Sequence, residues 1–340
     1  MEIVFVTPKY APSVGGVETH VQRVATDLQR RGHKVVVLTT QTGDEPVGDL
    51  IDGVEVVRMP KVVIGSKIKT WQWLWQQRVT LVDADVVHVH DVGWWLLPVL
   101  PLIQKKLFVT FHGWEGEWPI RWQAKLHRWL LSVVAQRTVH IGDWIAQYYW
   151  DEPSLVLYGG VDAPIRVTNK TQITNKGKKV IRIVFLGRLT NENAIAEYCK
   201  LSKQMLQKKL PFSLSWVGDG PQAKQCKKLG MVTGMVDKPE TYVAKADVVW
   251  ASSYLSILLA RSLGKPVWGL WQHQLKRDYL QSLPNKEAVF MADSATSLLE
   301  QVVSDSGKQW RTAAISQHFS KNWPPTWHTI ATQYEQLWQK

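Results

Sequence analysis

The feature that most restricts this chain is a strand-to-helix opening that occurs twice. Met1 to Pro8 reads M-E-I-V-F-V-T-P, and Arg182 to Leu189 reads R-I-V-F-L-G-R-L. Each is a short apolar run suited to a strand buried on both faces, and each leads into a helix-period segment. In the first copy a loop from Pro8 to Glu18 carries Gly15 and Gly16, which permit close backbone approach. A helix is predicted from about Val17 to Arg30, with Val21, Val24, Ala25 and Leu28 on one face. Gly32 ends it, and His33 to Thr40 resumes as a strand. Strand, glycine loop, helix and strand make a βαβ unit, which requires a right-handed crossover and a parallel sheet.

The same alternation continues. Val54–Met59, Ala84–His90, Phe108–Phe111, Val139–Gly142 and Leu155–Tyr158 read as strands of a first domain, residues 1–162. A polar, basic stretch over 163–180 reads as a linker. A second domain is expected over 181–322, with a helix at Ala194–Lys208 and strands at Phe212–Val217, Met231–Gly234, Asp247–Ala251 and Val267–Leu270. Ser252 or Ser253 is placed to cap the helix striped by Leu255, Leu258, Leu259 and Leu263; Gly264 and Pro266 stop it. Residues 323–340 read as an amphipathic helix that packs back toward the first domain. The expected fold is therefore α/β, two Rossmann-like doubly wound domains facing a cleft. Strands that turn directly into helices aim free N–H groups past the sheet, a geometry that favours phosphate. Gly15 and Gly16 are adjacent and no third glycine opens the helix, so the dinucleotide fingerprint is not met.

Composition narrows the class of function. A net charge of +12 points to anionic partners. Two cysteines, Cys199 and Cys226, exclude a disulfide framework, and no apolar run is long enough to cross a bilayer, so the cytosol is expected. Nineteen tryptophans, eleven of them before residue 151, often lie beside Arg or Lys. Trp118, Trp122, Leu126, Trp129, Leu130 and Val133 stripe one predicted helix, flanked by Arg121, Lys125 and Arg128. A core face has the same periodicity, but the cations favour peripheral attachment to an anionic membrane surface, here the inner face. Asp83-Ala84-Asp85 imitates a metal motif yet precedes a buried strand, and reads as a turn. His88 and His90 share a strand face without a third ligand, so no metal site is assigned. No nucleic-acid-binding pattern is present, and none is expected as a partner.

Seven spans in order resemble the retaining GT-B glycosyltransferases of family 4. They are Gly15–Glu18, Val86–Asp91, Thr110–Gly113, Tyr158–Asp162, Ile183–Leu189, Val217–Pro221 and Leu263–Val267. The resemblance implies transfer of a sugar from a nucleotide diphosphate sugar to a lipid-linked or glycan acceptor, with no cofactor and no divalent ion. It implies that Arg188 binds the donor phosphates and that His112 lies close to the transferred sugar, both as catalytic residues. It also implies that the Gly15-Gly16 backbone approaches the phosphate and that Gly218 and Gly220 line the nucleotide end, with Ser252 and Ser253 at the helix start.

Two departures stand against full activity. The family's paired glutamates fall on Ala251 and Leu259, and its second phosphate cation falls where Asn191 and Asn193 stand. Losing a charged partner of this kind typically costs about 2–4 kcal/mol of transition-state stabilisation. The alternative is thus a catalytically impaired binding protein on the same fold, partner to an active transferase.

Overall fold

The computed structural model describes residues 1–61, 66–116, 118–162, 180–285, 289–303 and 323–339. The chain divides into two compact units, Met1–Gly160 with Thr326–Lys340, and Val161–Pro325. In chain order the first unit holds β1 (Glu2–Val6), α1 (Gly16–Arg30), β2 (Lys34–Thr40), β3 (Gly48–Ile51), β4 (Val54–Met59), α2 (Lys67–Gln76) and α3 (Arg78–Asp83). It continues through β5 (Val86–His90), α4 (Leu100–Ile103), β6 (Leu107–Phe111), α5 (Trp122–Val134), β7 (Arg137–Ile141) and β8 (Leu155–Leu157). The second holds β9 (Ile181–Leu186), α6 (Ile195–Gln207), β10 (Phe212–Val217), α7 (Ala223–Cys226), β11 (Met231–Gly234), α8 (Glu240–Lys245) and β12 (Val248–Trp250). It ends with α9 (Tyr254–Ser262), β13 (Val267–Leu270), α10 (Gln274–Gln281), β14 (Val289–Ala292) and α11 (Ala295–Val303). The chain then returns to the first unit as α12 (Trp327–Trp338). The stretch expected as a linker, residues 163–179, lies outside the described residues.

The first sheet runs β3-β4-β2-β1-β5-β6-β7-β8. Its strands are parallel except β3, which returns antiparallel on β4 through Asp52-Gly53, both at positive φ. That dipeptide suits the twist of a tight hairpin. The second sheet runs β11-β10-β9-β12-β13-β14, parallel throughout. Ile3, Val4, Phe5 and Val6 of β1 are buried, as are Val248, Val249 and Trp250 of β12. Continuous apolar runs form strands here because helices cover both faces of a parallel sheet. In each unit the strand order reverses direction at one place, between β1 and β5 and between β9 and β12, and ligands of doubly wound sheets bind beyond the carboxyl ends of such strands.

The tryptophans divide between two jobs. Trp216, Trp250 and Trp268 fill the core of the second unit around Phe185 and Tyr198, with Trp250 stacked on Tyr198 at 5.3 Å. Trp73, Trp95 and Trp144 are buried in the first. The reading of the tryptophan excess as an interfacial signature is corrected to that extent. Asp85 accepts the Glu2 N–H at 2.7 Å and ties the end of α3 to β1.

Candidate active site

Beyond the switch point of the second unit lies the loop after β9, Gly187 to Thr190. It runs against the loop after β10, Val217 to Pro221. Gly187 N–H donates to Val217 O at 3.1 Å, and Leu189 N–H donates to Asp219 O at 2.8 Å. Gly218 and Gly220 hold φ of +144° and +155°. A Cβ on Gly218 would overlap the Gly187 carbonyl, and one on Gly220 would sit 2.5 Å from that of Leu189. Both positions demand glycine because two backbones touch there. Their expected role at the nucleotide end is joined by a structural one that spacing alone did not reveal.

Arg188 stands on this loop, exposed, with Nη2 3.4 Å from Glu192 Oε2. Asn193, where a cation was sought, is buried and donates its side-chain amide to Arg188 O at 2.9 Å. It fixes the arginine's backbone instead of adding charge. Ala251, at the position of a family glutamate, is fully buried.

The serines part company. Ser252 is 1% exposed; its hydroxyl donates to Leu270 O at 2.7 Å and meets Tyr198 Oη at 2.9 Å. The donor-binding role expected of Ser252 is therefore corrected: its oxygen is committed inside the core, tying β12 to β13. Ser253 is the N-cap residue of α9 but makes no side-chain capping bond; its hydroxyl donates to Ser256 Oγ at 2.9 Å. The first N–H of α9, that of Tyr254, donates to Tyr279 Oη at 2.7 Å.

Sequence reasoning missed a cation from α10. Lys276 is only 3% exposed, and its ammonium sits 4.4 Å over the Tyr279 ring. Burial lowers its pKa to about 8, with Glu192 opposing and Arg188 adding to the fall. A lysine on the buried side of a helix reads from sequence as one more solvated charge, so no signal announced it.

In the first unit, Gly15 is the N-cap of α1 in extended backbone and Gly16 its first residue. The Glu18 carboxylate lies where a Cβ on Gly15 would be, an internal acid at the helix N-terminus. His112 follows β6. Its N–H donates to Asp91 Oδ1 at 2.9 Å, and its Nε2 faces His90 Nδ1 at 2.9 Å. With Nε2 committed to His90, Nδ1 is the remaining polar atom of the ring. Burial, and then the Arg128 charge, push the His112 pKa down to about 3, so the ring is neutral at pH 7. Burial likewise holds His20, His88 and His90 well below the ordinary histidine value. Desolvation raises Asp91 to about 6, against the pull of the His112 N–H and the Arg128 charge.

These rings are tied to α12. Tyr334 Oη meets His20 Nε2 at 3.0 Å and Thr110 Oγ1 at 2.9 Å, and Trp338 Nε1 donates to His88 Nδ1 at 3.0 Å. Among the described residues no group of three or more His, Cys, Asp or Glu side chains could hold a metal ion.

Arg128 was expected on the membrane-facing flank of α5, and this too is corrected. It is 1% exposed, lies 3.9 Å from the Phe111 ring and 4.0 Å from the Tyr149 ring, and donates to Gly113 O at 3.0 Å. It braces the turn that carries His112. The apolar stripe itself is outside the core: Trp122 is 61% exposed, Leu130 50% and Val133 63%. Among the described residues no helix is long and apolar enough to cross a membrane.

Residues 14–163 match Glycosyltransferase Family 4. A GDP-mannose-dependent alpha-mannosyltransferase of Mycolicibacterium smegmatis is 39% identical over 95 residues, a match spanning 26% of this chain and 25% of that relative. Sucrose-phosphate synthase from Thermosynechococcus elongatus superposes with a TM-score of 0.72 at 14% identity, covering 100% of this chain and 98% of that one. Anabaena HepE, in complex with UDP and glucose, gives 0.69 at 14% identity, with 100% and 99% covered. The likeness to the solved structures carries the fold.

Proposed function

We propose that this chain, whose residues 14–163 match Glycosyltransferase Family 4, is a transferase that moves a hexose from a nucleoside diphosphate sugar to a lipid-linked or glycan acceptor with retention of configuration. The observation that carries the reading is Arg188, whose guanidinium is exposed past the carboxyl end of β9, where the strand order of its sheet reverses, and whose backbone carbonyl is held by Asn193. A planar fork of donors at that point suits the two oxygens of a diphosphate. As the glycosidic bond breaks, negative charge gathers on the leaving diphosphate, and fixed protein cations stabilise that state more than the bound donor. On this reading the protein cations neutralise the diphosphate without a divalent ion. Neutral His112, held by His90 and by the Arg128-braced turn, offers a hydrogen-bonding atom to a sugar hydroxyl. The cytosol is the proposed compartment. The exposed tryptophan stripe of α5 supports attachment to the inner face of a membrane, which co-sedimentation with anionic but not neutral liposomes would test.

Incubation with UDP- and GDP-linked hexoses, mixed glycan and lipid acceptors, and EDTA tests the rest. Transfer is expected to persist in EDTA and to give a product with the donor's anomeric configuration by NMR. Arg188→Ala should lower the rate by about 10²–10³-fold. Absence of both transfer and hydrolysis across the panel would sink the proposal.

A further inference from the structure

Four histidines of the first unit lie together, and their hydrogen-bond partners decide where each ring carries its proton. His20 comes from α1, His88 and His90 from β5, and His112 from the turn after β6. Burial holds all four rings neutral, so each has one N–H and one bare nitrogen. The indole N–H of Trp338 can only donate, and it donates to His88 Nδ1 at 3.0 Å. His88 therefore carries its proton on Nε2 and donates it to Thr110 Oγ1 at 2.7 Å. Thr110 Oγ1 meets Tyr334 Oη at 2.9 Å, and Tyr334 Oη meets His20 Nε2 at 3.0 Å. Thr110 and Tyr334 are fully buried, and among the described residues their hydroxyls have no other partner. Only the order Trp338 to His88 to Thr110 to Tyr334 to His20 gives every proton an acceptor; any other strands a buried hydroxyl proton. His20 Nε2 is thus an acceptor, and the proton of that ring sits on Nδ1.

The chain of bonds ends beside His112. The His20 and His112 rings stand 4.9 Å apart at 83°, and His112 Nε2 is already engaged by His90 Nδ1. The polar ring atoms left over are Nδ1 of His20 and Nδ1 of His112. Among the described residues neither has a partner, and neither is sealed from the surface as the unpartnered Nε2 of His90 is, though His20 as a whole is only 2% exposed. α1 begins at Gly16, so His20 lies one turn into the helix behind the Gly15-Gly16 loop. We infer that His20 is a further binding residue of the transfer site, an N–H donor to a sugar hydroxyl beside His112, and that Tyr334 is the positioning residue that fixes this tautomer from the C-terminal helix. The inference rests on the transferase reading above and deepens it. A neutral imidazole with both nitrogens free offers either a donor or an acceptor at a given edge. With Tyr334 in place His20 offers a donor alone, which suits a hydroxyl oxygen and rejects an ammonium or an amide N–H.

The test reads tautomer, stability and rate separately. Long-range proton–nitrogen NMR of the full chain distinguishes protonated from bare ring nitrogens. His20 is expected to be protonated on Nδ1 and His88 on Nε2, and Tyr334→Phe should leave His20 in both forms. His20→Gln places an oxygen near the ε position, where it still accepts the Tyr334 proton, but removes the N–H at δ. His20→Asn keeps an N–H at δ and gives up the Tyr334 contact. With UDP- and GDP-linked hexoses and mixed glycan and lipid acceptors as probes, turnover should fall about 30-fold in His20→Gln and only about threefold in His20→Asn. The melting temperature should fall in His20→Asn and stay near wild type in His20→Gln. A purely structural histidine would move rate and stability together. Turnover by His20→Gln within twofold of wild type overturns the inference and leaves the transferase reading standing. Wild-type His20 protonated on Nε2 does the same. Should neither variant fold, the probes added to wild type should shift the His20 Nδ1 resonance, and no shift there overturns the inference equally. Wild type turning over none of the probes overturns both.

Discussion

At the residue scale, Lys276 makes a prediction that needs no ligand. Its folded pKa of about 8 lies below the ordinary lysine value of 10.5. The unfolded chain therefore holds more protons than the folded one between those values, and stability rises with pH across that window. Below it the buried charge is a penalty on the fold, on the order of 3 kcal/mol from the conversion of about 1.4 kcal/mol per pKa unit. Lys276→Met should accordingly raise the melting temperature at pH 7, with the gain shrinking toward pH 10. Thermal unfolding of both proteins across pH 6–10 checks it, and a variant less stable at every pH would contradict it. A buried lysine that weakens the fold is the kind of residue that trades stability for function. Such residues are the least legible in sequence. Arg188 could be placed by its G-R-L motif, whereas Lys276 carries no motif and matters only because α10 folds it inward. Ser252 fails in the opposite direction: beside Ser253 it looks like a cap, and only the Tyr198 hydroxyl and the Leu270 carbonyl show why it faces the core.

At the element scale, the strands and long helices were readable because each is an uninterrupted apolar run or a clean helical stripe. Exceptions are β3, G-D-L-I, and β14, V-F-M-A, short edge strands whose residues carry little pattern. The C-terminal helix was expected to pack back on the first domain, and α12 lies in that unit; its chemistry could not be read. Tyr334 lies 314 residues from His20 and Trp338 lies 250 from His88, and together they meet rings on α1, β5 and β6, contacts no local window contains. Those rings set an acid limit on the first unit. His20, His88, His90 and His112 are neutral when folded and take protons when unfolded, so stability falls as pH drops below their unfolded value near 6.5. Asp91, raised to about 6, binds its proton first in the folded state and offsets one of the four. Urea unfolding between pH 6 and 4 should therefore show a net uptake of about three protons, or roughly 4 kcal/mol lost per pH unit. His88→Phe, which keeps a ring between Phe108 and Trp338, should reduce that slope by about one proton. A slope of one proton or less in wild type would show that the network is not buried as described.

At the scale of the whole molecule, the order of units along the chain is itself a constraint. Val161–Pro325 interrupts a unit whose last helix comes after it. Its two ends lie side by side, Val161 N–H donating to Pro325 O at 2.9 Å. Chain ends this close are what tolerance of insertion looks like, and they allow the first unit to be rebuilt without the second. A chain stopped at Gly160 loses Tyr334, Trp338 and the Glu335 carboxylate that pairs with Arg31 and His33. It strips the partners from His20 Nε2 and His88 Nδ1, while His88 Nε2 keeps Thr110 Oγ1, at roughly 1–3 kcal/mol for each stranded polar group. Against a total stability of about 5–15 kcal/mol, that loss is enough to unfold a single domain. Residues 1–160 alone are therefore expected to melt without a cooperative transition. Joining residue 160 to 326 through a short glycine-serine link, with 326–340 following, should restore a sharp one. Circular dichroism and tryptophan fluorescence on the two chains decide the matter. Equal cooperativity would mean that α12 merely rests on the first unit, and that Tyr334 and Trp338 do not hold together the strands that carry His88, His90 and the turn to His112.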